Sequence, residues 1–209
     1  MSIALAVIAK APRAGHSKTR LCPPCTPAQA AGLAAAALAD TLAAVLATPS
    51  HRRVLVLDGA PGAWIPDGVQ VIAQRGGGLD ERLAAAFADI GEPTLLVGMD
   101  TPQLTPALLA EGTDALRDGA SAVLGLADDG GYWCIGLQAS DPALFEGIPM
   151  SADDTGARQL IRLREHGHDP ALVSVVRDVD HFEDALAVAA LAPSSRFAAA
   201  VHAQEATAA

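Results

Sequence analysis

The stretch IALAVIAKAPRAGHSKTR, residues Ile3–Arg20, decides how the rest of the chain is read. Its opening run, Ile3–Ala9, is short and aliphatic with no basic leader before it, so it reads as a strand and not a signal peptide. The next residues, Lys10 to Arg20, hold five of the chain's cations when His16 is counted. An apolar strand that empties into a basic loop sets a pattern, and the pattern repeats. Strand-like runs recur at Arg53–Leu57, Val69–Ala73, Thr94–Val97, Ser121–Leu126, Tyr132–Leu137 and Leu172–Val176. Between them lie helical patterns near Pro27–Ala47, Leu79–Ile90, Pro106–Arg117, Thr155–His166 and Phe182–Leu191. Thr26-Pro27 and Thr105-Pro106 each place an N-cap before a proline at the first helical position, and Gly119 and Gly167 sit where helices should stop.

Strands separated by helices need crossovers, so the sheet is predicted to be mostly parallel with helices on both faces. The four residues Asp128–Gly131 are too few for a crossover, so one antiparallel strand is expected there and the sheet is mixed. At 209 residues the chain suits one domain, predicted over 1–192, with 193–209 as an alanine-rich tail, a loosely held helix or a frayed end. A 51% hydrophobic and 18% charged composition excludes disorder, and aromatics at 3% leave the core to Ala, Leu, Val and Ile. A net charge of -10 argues against nucleic acid as a partner. The segment Ala28–Ala47 is long and apolar. It is mostly alanine, however, and carries Gln29, Asp40 and Thr41, so a buried helix is expected and no membrane contact. The expected compartment is the cytoplasm. Three cysteines make no secreted framework, and Cys22-Pro-Pro-Cys25 reads as two loop cysteines against a redox or half-zinc alternative.

Ligands of an open α/β sheet bind outside the carboxyl ends of the strands. In this chain those ends collect cations, glycines and acids. Lys10, Gly15, Lys18, Thr19 and Arg20 come after the first strand and Arg75-Gly76-Gly77-Gly78 after the third, with Arg82 just beyond. Gly98-Met99-Asp100-Thr101-Pro102 comes after the fourth, Asp128-Asp129-Gly130-Gly131 after the fifth, and Arg177-Asp178-Val179-Asp180 after the last. Lys and Arg neutralise phosphate oxygens, aspartates hold Mg²⁺ or Mn²⁺, and glycines admit the backbone close to a ligand. Each motif also has a structural reading: a solvated basic loop, a turn at Asp100, a hairpin at Asp129-Gly130, an N-cap at Asp180. Their placement at one edge favours a shared site. Gly15-His16-Ser17-Lys18-Thr19 is not a P-loop, because it lacks the glycine immediately before the lysine, and no GxGxxG comes after the first strand. Of Tyr132 and Trp133, one should face the ligand and one the core.

The ordered set Ala9–Pro12 with Lys18–Leu21, Gly98–Pro102, Asp128–Trp133 and Arg177–Asp180 resembles a family of GT-A-like proteins related to 2-phospho-lactate guanylyltransferase. The resemblance spans about residues 1–191. It implies a single Rossmann-like three-layer domain of GT-A type, a nucleotide donor and a divalent metal. Lys18, Thr19 and Arg20 would serve the donor phosphates, and Asp100 with Asp180 would match the metal-binding acids. The chain departs from that pattern at Arg13-Ala14-Gly15, Met150-Ser151, Gly156 and His181-Phe182.

The leading expectation is a nucleotidyltransferase that moves a nucleoside monophosphate from a triphosphate to a small phosphorylated or carboxylate acceptor. Lys18 and Arg20 would stabilise the departing pyrophosphate. Lys10, Gly15, Lys18, Thr19, Arg20, Arg75 and Arg82 would bind the nucleotide, and Asp128, Asp129, Gly130, Gly131 and Tyr132 the acceptor. A nucleotide-sugar-dependent glycosyltransferase is the alternative, with Asp129 as its acid or base. The third reading is a nucleotide-binding module without turnover.

Overall fold

A computed structural model describes residues 2–208. The strands are β1 (Ala4–Lys10), β2 (Arg53–Asp58), β3 (Gln70–Ala73), β4 (Thr94–Val97), β5 (Ala122–Ala127), β6 (Tyr132–Leu137) and β7 (Ala171–Val176). The helices are α1 (Pro27–Ala47), α2 (Leu79–Ile90), α3 (Pro106–Arg117), α4 (Thr155–Glu165), α5 (Phe182–Leu191) and α6 (Arg196–Ala208). The seven strands form one sheet in the order β3-β2-β1-β4-β6-β5-β7. Only β6 runs against its neighbours, β4 and β5, because the 128–131 turn returns the chain at once. The mixed, mostly parallel sheet is the one expected.

Side-chain alternation splits each strand between two cores. Leu5, Val7 and Ala9 of β1 face Leu38, Leu42 and Val45 of α1 and Leu109 and Leu116 of α3. Ala4 and Ala6 face Leu83, Phe87 and Ile90 of α2 and Leu163 of α4. Capping begins the helices where the sequence predicts. Thr26 and Gln29 form a reciprocal capping box ahead of α1, and the Thr105 hydroxyl accepts from the Leu108 N–H. Gly119 and Gly167 come just after the last residues of α3 and α4 with φ of 103° and 82°, a conformation glycine adopts freely. Helix α1, with a mean hydropathy of 1.8, is long and apolar enough to cross a membrane, yet half of it is buried within the fold.

The carboxyl-terminal segment departs from expectation. Instead of a loosely held tail, α6 docks on α1 and α5, burying Phe197, Ala198 and Val201 against Ala30, Leu33, Ala37 and Val188. Asp40, in the sequence only a polar break in α1, anchors it. Its carboxylate accepts from the backbone N–H groups of Arg196 (3.2 Å) and Phe197 (2.8 Å), the free donors of a helix start. Cys25 is buried in the same cluster, and burial pushes its thiol above its ordinary value. Among the described residues, neither Cys22 nor Cys25 is disulfide-bonded or belongs to a metal-ligating group.

Candidate functional site

The parallel strands all point their carboxyl ends at one cleft of about 970 Å³. The loop after β1 is shaped before it reaches the cleft. The Arg13 N–H donates to Ser17 Oγ at 2.9 Å, and the Ser17 N–H returns to the Arg13 carbonyl at 3.0 Å. Gly15 turns this loop at φ 76° and lies outside the cleft lining, so its contribution is conformational.

Lys18 is the unusual residue. Its backbone is left-handed, with φ 50° and ψ 42°, a conformation that costs a non-glycine residue energy and is retained only where its surroundings impose it. The side chain is 9% exposed, and Nζ lies 2.9 Å from Asp100 Oδ1 and 3.9 Å from Asp180 Oδ1. It also donates to the Val179 carbonyl. Arg20, in the short 3-10 turn Thr19–Leu21, pairs with Asp180. The Asp100 carbonyl accepts from the Val179 N–H at 3.0 Å, which ties the end of β4 to the segment after β7.

Three carboxylates gather beside this clamp. One oxygen each of Asp129, Asp178 and Asp180 lies within 4.8 Å of the others. Asp180 is the expected member of such a group, whereas the sequence points Asp129 to the acceptor. The sequence places Asp178 among the acids at this edge and gives it no site role. Its signal is the Asp-Val-Asp spacing, since an extended chain turns residues two apart to the same side. Asp100 stands outside the group, engaged by Lys18. Burial first, then the charges of Asp129 and Asp180, push the Asp178 carboxyl up to about 6 against the opposing pull of Lys18.

The Asp178 shift has a measurable consequence. Between pH 3.8, its ordinary value, and about 6, folded Asp178 keeps a proton that the unfolded chain has lost. The stability of metal-free protein should therefore fall as pH rises through that window and level off above it. Thermal unfolding from pH 4 to 7 should show this component in the wild type and lose it in Asp178→Asn. Parallel profiles for the two proteins would contradict it.

The other expected residues divide. Lys10 and Thr19 line the cleft, as does Arg82, whose guanidinium reaches Asp58 at 2.8 Å and the Gly77 carbonyl at 3.2 Å. Arg75 does not: it makes a bidentate pair with Asp89 of α2, away from the cleft lining, which corrects its assignment to the nucleotide. Asp89 offers it a closer, planar partner. Tyr132 and Trp133 take opposite faces of the sheet, and both pack. Tyr132 reaches Gln159 Oε1 at 3.4 Å, and Trp133 donates its indole N–H to the Ser174 carbonyl at 2.9 Å.

The 128–131 turn is built against α4. The Gly156 N–H donates to the Gly130 carbonyl at 2.8 Å, and the Gly131 N–H to Asp129 Oδ1 at 2.8 Å. A Cβ on Gly130, whose φ is 88°, would lie 1.8 Å from the Asp153 carbonyl oxygen, and one on Gly156 would lie 2.4 Å from that of Gly131. The departure at Gly156 is thus what lets the turn and helix approach. Gly130→Ala should cost about 3 kcal/mol or more of stability. Gly131, free of positive φ, would bring a Cβ only to 3.0 Å from Asp129 Oδ1, a side chain able to shift. Gly131→Ala should keep its melting temperature while Gly130→Ala loses many degrees; equal melting points would refute the packing argument.

The fold of this chain, a seven-stranded sheet with the reversed β6, is shared with solved structures. A candidate nucleotide-diphospho-sugar transferase from Desulfovibrio desulfuricans G20 superposes with a TM-score of 0.86, at 24% identity over 99% of this chain and 96% of the other. The 2-C-methyl-D-erythritol 4-phosphate cytidylyltransferase of Thermus thermophilus gives 0.55 at 17% identity, over 92% and 100%. Rv0371C of Mycobacterium tuberculosis H37Rv, in complex with manganese, gives 0.54 at 20% identity, over 90% and 97%. No curated protein matches the sequence. Residues 33–152, more than half of the chain, match the family of uncharacterized proteins conserved in bacteria designated DUF2064, and the chain belongs to that family. The GT-A-like resemblance read from the motifs agrees with both findings.

Proposed function

We propose that the chain is a cytoplasmic, divalent-metal-dependent transferase that takes a nucleoside monophosphate from a nucleoside triphosphate, passes it to a small acceptor and releases pyrophosphate. The observation that carries this reading is the convergence of Lys18 and Arg20 with Asp100, Asp178 and Asp180 in one cleft. The names of two structural neighbours, a cytidylyltransferase and a manganese complex, support it.

The acids suit the ion. Asp129, Asp178 and Asp180 supply only hard oxygen donors, the set that Mg²⁺ and Mn²⁺ select, and burial together with the neighbouring acids already raises Asp178. Asp178 and Asp180 would hold the ion, with Asp129 on the acceptor side. Bound there, the metal would neutralise phosphate charge. The chain's own residues do the rest. Lys18 and Arg20 turn their donors to the β- and γ-phosphates and stabilise the charge that grows on the departing pyrophosphate. Arg82 and Lys10 border the donor half of the cleft, and Gly131 leaves the acceptor path open.

A second reading, transfer of a sugar from a nucleotide-sugar, is favoured by the name of the Desulfovibrio protein and by Asp129, a carboxylate within the acceptor turn. Calorimetry with a panel of nucleoside triphosphates and nucleotide-sugars, with and without Mn²⁺, tests both. Triphosphate binding that requires Mn²⁺ is expected. Tight binding of nucleotide-sugars alone would move the assignment to the second reading, and metal-independent binding of either would sink the metal site.

A further inference from the structure

Charge is distributed unevenly across the cleft. The donor half, made by the ends of β1 to β3 and the start of α2, carries Lys10, Lys18, Arg20 and Arg82. The opposite half is made by the 128–132 turn, residues 150–155 and the segment after β7. Asp128, Asp129, Asp153, Asp178 and Asp180 line it; Arg177 is the one lysine or arginine of these segments among the described residues, and Lys18 and Arg20 reach the half only at Val179 and Asp180. Arg177 is already used, with Nε 3.2 Å from Asp128 Oδ2.

A helix start is the other feature that commonly receives an anion. Here α4 begins at this wall, but its first two N–H groups are spent. Thr155 donates to the Ala152 carbonyl at 3.2 Å and Gly156 to that of Gly130 at 2.8 Å, while Asp154 stands at the N-cap. Elsewhere in the cleft lining the Thr101 hydroxyl, in a residue 2% exposed, has no hydrogen-bond partner among the described residues. Buried hydroxyls in folded proteins are nearly always paired, so a ligand hydroxyl is a fitting partner for this one. Carboxylates accept hydrogen bonds and repel phosphate.

We infer that the acceptor is a neutral polyhydroxy compound, bound through hydroxyls donated to the Asp128, Asp129 and Asp153 carboxylates, with no phosphate or carboxylate at its buried end. This rests on the transferase reading and replaces the phosphorylated or carboxylate acceptor expected from the sequence. A divalent ion held by Asp178 and Asp180 would offset part of the wall's negative charge without making it cationic. The step balances simply: an acceptor hydroxyl oxygen bonds to the α-phosphorus, the bond from that phosphorus to the bridging oxygen of pyrophosphate breaks, and the hydroxyl proton passes to Asp129.

Inorganic phosphate is the probe. The protein is first saturated with Mn²⁺ and a non-hydrolysable analogue of the triphosphate that binds it, then titrated with phosphate while Mn²⁺-induced ³¹P relaxation is followed. Wild type should show no saturable phosphate site tighter than about 10 mM. Asp128→Asn, which releases Arg177, should show one at least about tenfold tighter. In parallel, alcohols and their own phosphate monoesters are offered as acceptors in matched pairs with the true triphosphate. Product from the alcohol and not from the ester is expected. A saturable phosphate site in wild type, or product from the ester alone, overturns the inference and leaves the transferase reading standing. Failure of every triphosphate to bind removes that reading itself, and the first step of the experiment reveals it.

Discussion

Asp178→Asn should lower the affinity for Mn²⁺ by on the order of 100-fold or more, and should raise the melting temperature of the metal-free protein. The two effects have one cause. Asp178 is partly buried beside Asp129 and Asp180, and burial first, then the charges of those two acids, hold its carboxyl up to about 6. Removing the Asp178 charge relieves the folded protein, whereas a divalent ion needs it. A residue kept only to start α5 would show neither effect, since α5 is begun by His181, whose N–H donates to Asp184 at 2.8 Å. Calorimetric titration with Mn²⁺ and thermal unfolding in chelator read the two quantities separately. Unchanged Mn²⁺ affinity would remove Asp178 from the site.

Lys18→Met should act in opposite directions on the two ligands. In the donor-free protein the Lys18 ammonium serves as a counter-ion for Asp100 and Asp180, buried to 9% exposure and held by a left-handed backbone. A divalent cation therefore enters against a resident positive charge. Taking the ammonium away should tighten the binding of Mn²⁺ alone by several-fold, because only the competitor is lost. Triphosphate binding in saturating Mn²⁺ should weaken on the order of 100-fold, since a partly buried cation aimed at phosphate contributes about 2–5 kcal/mol when its partner is present. The melting temperature should fall, with Asp100 and Asp180 left facing each other's charge. A lysine that was merely a solvated loop charge would change none of these. Weaker Mn²⁺ binding together with unchanged triphosphate binding would refute the assignment.

Local features were legible because they depend on residues near one another. The capping residues Thr26 and Thr105 and the stop signals Gly119 and Gly167 act within a turn of the helices they bound, and α1, α2, α3 and α5 begin and end where the pattern places them. The reversed strand β6 is dictated by four residues, because so short a link cannot carry a crossover. The clustering of Lys18, Arg20, Asp100 and Asp180 was legible for a different reason. Parallel strands all deliver their succeeding loops to the same edge, whatever their order.

The amino-acid sequence alone, then, determined the succession of elements, the mixed sheet and the edge that holds the reactive residues. Pairing across that edge was decided only by tertiary structure. Placing β7 beside β5, with β6 between β5 and β4, set Asp178 next to Asp129, and the hydrogen bond from Val179 to the Asp100 carbonyl brought Lys18 between two acids. Arg75 left the site because α2 turned Asp89 toward it, and α6 became part of the core because Asp40 met its free N–H groups. Each of these contacts joins residues that are neighbours only after strands and helices have packed. Their energies come from geometry that no local pattern carries, so the same residues could be named from the sequence while their partners could not.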